Sequence, residues 1–292
     1  RTDRDKSSAA RRFGPNHQGD EATCTPGSRR TGGAMRAAYR GYSPEDLDAQ
    51  YDQKALVHDF DRYLGMWKTE ADRVEATTHI DRMPYGEGAD EYVEVLHSKE
   101  PSTGVHIHFH GGGWNSLTSE DAWHVAPPWI DAGWDFVSVN YSLLPTVTLE
   151  AQVAQAQAAV QAVVSEVVGS KRLLISGHSA GAHLAASVAL LGPPLAVPFR
   201  LVLASGVYEL EPVRLTSRNA YMGLNQFTAA RLSPIQVPSP DIDAIVLWSA
   251  SESDELRRQS REFADAVGAR AIVTDAPGHF DTWDRIRPDL VV

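Results

Sequence analysis

The residues with the clearest chemistry are Gly177-His178-Ser179-Ala180-Gly181. A serine with glycine two positions away on each side fits a tight strand-to-helix turn, because only small residues pack beside a side chain held proud of such a turn. The apolar run Leu173-Leu174-Ile175-Ser176 leads into this segment, and the helical run Ala182 to Leu190 follows it. The N-terminal dipole of that helix then faces negative charge developing on an attacked carbonyl. Ser179 is therefore the candidate nucleophile for acyl transfer.

Acyl transfer by serine also needs N–H donors aimed at the oxyanion. His110-Gly111-Gly112-Gly113-Trp114 follows an apolar stretch at 104–110 and precedes the serine turn. A glycine run lets bare backbone approach a carbonyl oxygen, so Gly112 and Gly113 are expected to donate, with Ala180 N–H as a third donor. The candidate base is His279, which follows the last strand on a Pro277-Gly278 loop. A carboxylate between nucleophile and base should fix its tautomer and stabilise the imidazolium. Glu252, Asp254 and Glu255 compete for that role. Asp254 and Glu255 fit the first turn of a helix, where acids favour the dipole and stay exposed. Glu252 precedes that turn and is preferred, with Asp254 as the alternative.

His106, His108 and His110 alternate along one face of a strand, and three such imidazoles could bind a metal. The favoured reading is that His106 and His108 are buried and hydrogen-bonded while His110 braces the glycine loop. No metal and no cofactor are expected.

These residues need a scaffold, and the pattern supplies one. Strands are predicted at 92–97, 104–110, 134–140, 172–176, 200–204, 243–249 and 269–274. Helices are predicted at about 44–73, 119–132, 150–168, 180–191 and 253–267. Alternation of this kind implies a mostly parallel central sheet with helices on both faces. Residues 1–34 are rich in Lys, Arg, Gly, Ser and Thr and lack hydrophobic periodicity; they read as a disordered leader or extension before a single domain at 35–292. The only cysteine, Cys24, lies in that stretch and can build neither a disulfide framework nor a zinc cluster. The formal net charge of −11 argues against a nucleic-acid partner and against an anionic membrane surface. No run is apolar and long enough to span a bilayer, and no signal-peptide pattern stands at the N-terminus, so a cytoplasmic protein is expected. A homodimer is compatible with all of these features.

Taken together these segments resemble the kynurenine formamidase (arylformamidase) branch of the α/β-hydrolases. The likeness extends from about Leu47 to His279. It includes the HGGGW loop, the GHSAGAHLA turn, Asn140-Tyr141, Leu144-Pro145, Val147-Thr148-Leu149, SGVYELEPV at 205–213, ARLSPI at 230–235, ESDELRRQS at 252–260 and the closing PGHF. The resemblance implies the α/β-hydrolase fold, a Ser179, Glu252, His279 triad and hydrolysis of a small aryl formamide of the N-formylkynurenine type. Two positions depart from the family pattern, which often has an aromatic residue at Gly113 and Asp at Glu252. An aryl leaving group calls for an aromatic wall, for which Trp114, Tyr141 and Tyr208 are candidates because each abuts a motif segment. Hydrolysis of other small aryl esters, amides or carbamates is the alternative activity. A non-catalytic binding module of the same fold is the alternative from outside enzymology.

Overall fold

The computed structural model describes residues 38–237 and 242–291. The expected leader at 1–34, with Cys24, lies outside the described residues.

Eight strands form one sheet: β1 (Ile80–Pro84), β2 (Tyr92–Leu96), β3 (Gly104–Phe109), β4 (Trp134–Val139), β5 (Arg172–His178), β6 (Phe199–Ala204), β7 (Ala244–Ser249) and β8 (Arg270–Thr274), in the order β1-β2-β4-β3-β5-β6-β7-β8. The β1–β2 and β2–β4 pairs are antiparallel, and the other five pairs are parallel. Strands β3, β4 and β7 are buried at every position. Burial on both faces makes β7 read as a nearly continuous apolar run, whereas β3 and β4 bury His106, His108, Asp135 and Ser138 among their apolar residues.

The helices are α1 (Pro44–Tyr51), α2 (Phe60–Thr77), α3 (Pro127–Asp131), α4 (Leu149–Val163), α5 (Ala180–Leu191), three short ones between β6 and β7, namely α6 (Glu211–Arg214), α7 (Asn219–Met222) and α8 (Gln226–Arg231), then α9 (Asp254–Val267) and α10 (Pro288–Val291). Two apolar layers cover the sheet. In one, Val105, Ile107 and Phe109 of β3 pack with Ala156, Val160, Leu184 and Phe263 from α4, α5 and α9. In the other, Phe136, Leu174 and Val202 meet Trp67, Trp129 and Trp283. Successive side chains of a strand point to opposite faces, so His106 and His108 enter the second layer while their apolar neighbours enter the first.

The register places the reactive loops. β3 lies between β4 and β5, with Phe109 opposite Gly177. The chain leaves β3 for β4 on one side and returns to β5 on the other. A crevice opens beyond the strand ends at such a reversal. The His110–Gly113 loop and the Ser179 turn therefore emerge side by side.

Several elements differ from expectation. The helical stretch at 44–73 is broken, because Asp52 and Asp59 each turn a carboxylate onto a backbone N–H three residues ahead and start new elements there. The stretch at 119–132 is a 3₁₀ helix (Ser119–Val125) followed by α3, since Pro127 and Pro128 lack the N–H groups needed to continue the first element. The helix expected at 150–168 ends at Val163 and closes in a π turn. Strand β1, a half-exposed edge strand, has no counterpart among the predicted strands, and neither do the short helices α6 to α8 among the predicted helices.

Candidate active site

Ser179 is the residue between β5 and α5, with φ 54° and ψ −118°. Non-glycine residues rarely adopt that conformation, and it costs roughly 1–3 kcal/mol unless the surroundings enforce it. They do: Ser179 N–H donates to the carbonyl oxygen of Ala204 at 2.9 Å. Within the turn Ser179 alone is half-exposed, its neighbours Gly177, His178, Ala180 and Gly181 being buried. A β-carbon on Gly181 would lie 2.1 Å from the carbonyl oxygen of Phe109 and 2.3 Å from that of His110. The start of α5 thus packs directly on the backbone that leads into the glycine loop.

That loop is fixed from several sides. Gly112 has φ +98°, and a β-carbon there would lie 2.1 Å from the Ser116 carbonyl oxygen. Ser116 Oγ donates to the Gly112 carbonyl oxygen at 2.7 Å. The Tyr141 hydroxyl donates to the His110 carbonyl oxygen at 2.8 Å, and its ring stacks on the His110 imidazole with centroids 4.2 Å apart. His110 in turn donates from Nδ1 to the Gly111 carbonyl oxygen at 2.8 Å. Tyr221, from α7, donates to the Gly113 carbonyl oxygen at 3.2 Å. The N–H groups of Gly112, Gly113 and Ala180 have no acceptor among the described residues.

Beyond β7 and β8 the chain brings Glu252 and His279 together. Glu252 Oε1 lies 2.5 Å from His279 Nδ1, with both side chains almost wholly buried. The other carboxylate oxygen accepts from Ser249 N–H at 3.0 Å. A carboxylate on Nδ1 leaves Nε2 as the proton-accepting edge. His178 Nε2–H donates to the His279 carbonyl oxygen at 2.9 Å, and the two rings are 4.5 Å apart, so the base loop rests on the serine turn. The Ser179 hydroxyl and His279 Nε2 have no hydrogen-bond partner among the described residues. Such contacts commonly tighten only with substrate present.

The competing acids lie elsewhere. Asp254 is 70% exposed and paired with Arg257. Glu255 is buried but committed to Arg258, Tyr51 and Gln259. His183, also downstream of Ser179, is buried in α5, where Nε2 donates to the Leu232 carbonyl oxygen and Nδ1 accepts from Trp114 Nε1. His106 Nε2 and His108 Nδ1 converge on one hydroxyl, Ser176 Oγ, at 2.6 and 2.7 Å. Burial pushes His108 down to about 3 and His110 to about 4, and holds His106 well below its usual value. These rings are neutral hydrogen-bonding groups at ordinary pH.

Trp114, Tyr141 and Tyr208, the aromatic residues singled out from sequence, are all buried, Tyr208 stacked on Phe263 at 4.0 Å. A different cluster of rings adjoins His279 through Phe280. Phe280 lies 5.2 Å from the His279 ring, Phe60 lies 4.8 Å from Phe280, and Tyr63 lies 5.6 Å from it. All three are half-buried. Adjacency to His279 could have flagged Phe280. Phe60 and Tyr63 reach it from more than two hundred residues away and carry no local signal.

The chain's relationships agree with this geometry. A family model described as alpha/beta hydrolase fold matches residues 106–229. A kynurenine formamidase of Danio rerio is 29% identical over 251 residues, which cover 78% of this chain and 85% of that protein. A kynurenine formamidase of Salmo salar is 31% identical over 239 residues, covering 75% of this chain and 80% of that protein. The chain belongs to the kynurenine formamidase family. Its fold is the expected α/β-hydrolase fold, and a Silicibacter protein provisionally assigned as a thioesterase superposes with a TM-score of 0.77 at 25% identity, covering 84% of this chain and 97% of that one. Among the described residues of this family member no helix is long and apolar enough to cross a membrane.

Proposed function

We propose that this kynurenine formamidase family member is a serine hydrolase that cleaves small aryl formamides of the N-formylkynurenine type. Ser179 is the nucleophile, His279 the general base and Glu252 the acid that orients it, with Gly112, Gly113 and Ala180 N–H groups as the oxyanion hole. The observation that carries this reading is the buried Glu252–His279 pair, 2.5 Å apart and packed against the Ser179 turn.

In the first half-reaction the Ser179 proton moves to His279 Nε2 as Oγ bonds to the formyl carbon. The negative charge on the former carbonyl oxygen is met by the three N–H groups. The C–N bond then breaks, the aryl amine leaving with the proton from His279. In the second half, His279 deprotonates water, which attacks the formyl ester and releases formate and free Ser179.

Substrate preference follows from two features. A formyl group needs almost no acyl pocket, and the space beside Gly113 is shared with the Tyr221 hydroxyl, 3.6 Å from where a β-carbon would stand. The half-buried ring of Phe280 beside the base, with Phe60 and Tyr63 packed on it, suits an aryl leaving group better than the fully buried Trp114, Tyr141 and Tyr208 do. The bare backbone at Gly113 also favours a second reading, hydrolysis of small aryl esters or carbamates by the same residues.

The test is kcat/KM on N-formylkynurenine and formanilides compared with acetanilides and nitrophenyl esters. Formamides should lead. A preference for esters or acetanilides supports the second reading, and failure of Ser179 to react with a fluorophosphonate probe would sink both.

A further inference from the structure

Far from these residues, three side chains converge at the open end of the β1–β2 hairpin. The ladder pairs Ile80 with Leu96, and His97 N–H donates to the His79 carbonyl oxygen at 3.0 Å. His79 therefore stands across from His97, one step beyond the named strands. Asp81 lies two residues after His79 on the same face, as the strand period requires. The consequence is convergence: His97 Nε2 lies 2.9 Å from Asp81 Oδ2, and His79 Nε2 lies 3.4 Å from the same oxygen. The two imidazoles are nearly parallel, with centroids 5.1 Å apart. One ligand atom from each residue falls within 4.8 Å of the other two.

We propose that His79 Nε2, His97 Nε2 and a carboxylate oxygen of Asp81 form a site for a divalent transition metal. Two imidazoles and one carboxylate suit zinc, nickel or copper(II) rather than magnesium or calcium, which take oxygen ligands. Zinc bound at about 2.0–2.2 Å in a tetrahedron separates neighbouring ligand atoms by about 3.3 Å. The two spacings to Asp81, 2.9 and 3.4 Å, bracket that value, and the third, between the imidazole nitrogens, lies within 4.8 Å, so binding draws the two rings together. A carboxylate also stands near the second nitrogen of His97, beyond hydrogen-bond distance but close enough to reach it with a small shift. Asp135 Oδ1 is 3.8 Å from the remaining nitrogen, His97 Nδ1. Metal-ligating histidines usually direct that second nitrogen at such a group. Asp135 is itself held by Ser98 N–H at 3.1 Å, Ser102 Oγ and Lys171 Nζ at 3.0 Å. With three protein ligands and exposed surroundings, solvent completes the coordination.

The site is structural in this reading. β2 runs antiparallel to β4, so His97 lies beside the start of β4, whereas Ser179 follows the end of β5. The metal and the candidate active site therefore occupy opposite ends of the sheet. β1 is held by β2 alone, and the Ile80–Leu96 end is the one no loop closes. A metal there staples the end of the hairpin most prone to fray.

The experiment uses the full chain, stripped with a chelator and titrated with zinc against a chromophoric competitor. Wild type should bind one more equivalent than either His79→Gln or His97→Gln. Zinc should raise its Tm by several degrees, magnesium and calcium should not, and the rise should vanish in both variants. His79 is exposed, so His79→Gln leaves the fold intact, which circular dichroism checks. Turnover on any substrate should be the same with and without zinc. Equal zinc stoichiometry and affinity in wild type and both variants, or a Tm of wild type indifferent to zinc, overturns the proposal.

Discussion

The His178 imidazole, one residue before the candidate nucleophile, donates from Nε2 to the backbone carbonyl oxygen of His279 at 2.9 Å. Thr282 Oγ1 donates to the same oxygen at 2.8 Å, and Trp283 stacks on the His178 ring at 4.3 Å. Only the Nε2–H tautomer of His178 makes this bond. Burial, with the neighbouring His279, holds His178 well below its usual pKa and so keeps it neutral. The turn that carries Ser179 and the loop that carries His279 are thereby one mechanical unit.

Replacing His178 by phenylalanine keeps a ring against Trp283 but removes the donor. A hydrogen bond of this kind is worth about 1 kcal/mol, and its loss lets the His279 loop shift. We expect kcat to fall about 10-fold or more with KM little changed. Steady-state kinetics on the best substrate decide it. An unaltered kcat, or a change confined to KM, would show that His178 does not position the base.

Glu252→Gln should lower turnover by at least about 10²-fold, because it removes the charge that stabilises the His279 imidazolium; the corresponding loss in a serine-protease triad is about 10⁴-fold. Asp254→Asn should leave turnover near normal and change stability by a few tenths of a kcal/mol at most. Asp254 is exposed and paired with Arg257, so it has little prospect of substituting for Glu252. Kinetics of both variants on one substrate test the pair, and the reverse ranking would reassign the acid.

Ser179→Ala should abolish turnover and leave the fold intact. Ser179→Gly should be equally inactive yet at least as stable as wild type, since glycine adopts φ 54° without the strain of a β-carbon. Thermal melts alongside activity assays measure both. Residual activity above a few per cent in Ser179→Ala would remove this residue from the nucleophile's role.

Acid should begin to destabilise the protein below about pH 6.5, above the range where most carboxylates titrate. His108 is pushed down to about 3, and His110, His124 and His183 to about 4, in each case by burial, against 6.5 when unfolded. Below pH 6.5 the unfolded chain therefore binds more protons than the folded one, and stability falls with pH down to the folded values near 4 and 3. Each histidine contributes roughly 1 kcal/mol per pH unit in that window. Several together exhaust a stability of about 5–15 kcal/mol within a few units. Urea midpoints at pH 7.5 and pH 5 provide the check, and equal midpoints would contradict the neutral-histidine account.

What can be read in the sequence is whatever is local. The Ser179 turn and the Gly111–Gly113 loop are short motifs whose residue types follow from backbone geometry. Strands β3, β4 and β7 announce themselves because burial on both faces fills them with β-branched, aromatic and other apolar residues, even though β3 and β4 also bury His106, His108, Asp135 and Ser138. Strand β1 does not, since an edge strand exposed along much of its length carries Asp81 and Arg82 in its middle. Helices α6 to α8 span four to six residues, too few for a 3.6-residue period to emerge. The rings of Phe60 and Tyr63 read along the chain as ordinary core positions of a helix. That they meet Phe280, the residue after His279, is a property of the tertiary fold, which spacing along the chain does not encode.

The shared hydroxyl of Ser176 also carries a consequence for how this sequence can drift. His106 Nε2 and His108 Nδ1 both depend on that one oxygen, which has a single proton and two lone pairs and so must accept from at least one of them. The protonation pattern of one ring is therefore coupled to that of the other through Ser176. Mutating Ser176 alone strands two imidazole nitrogens inside an apolar layer, and mutating either histidine strands the hydroxyl's other half. Each single step passes through a destabilised intermediate, whereas exchange of all three for apolar residues of matching volume does not. In an alignment of relatives these positions should change as a trio or not at all, an inheritance rule written by one shared oxygen.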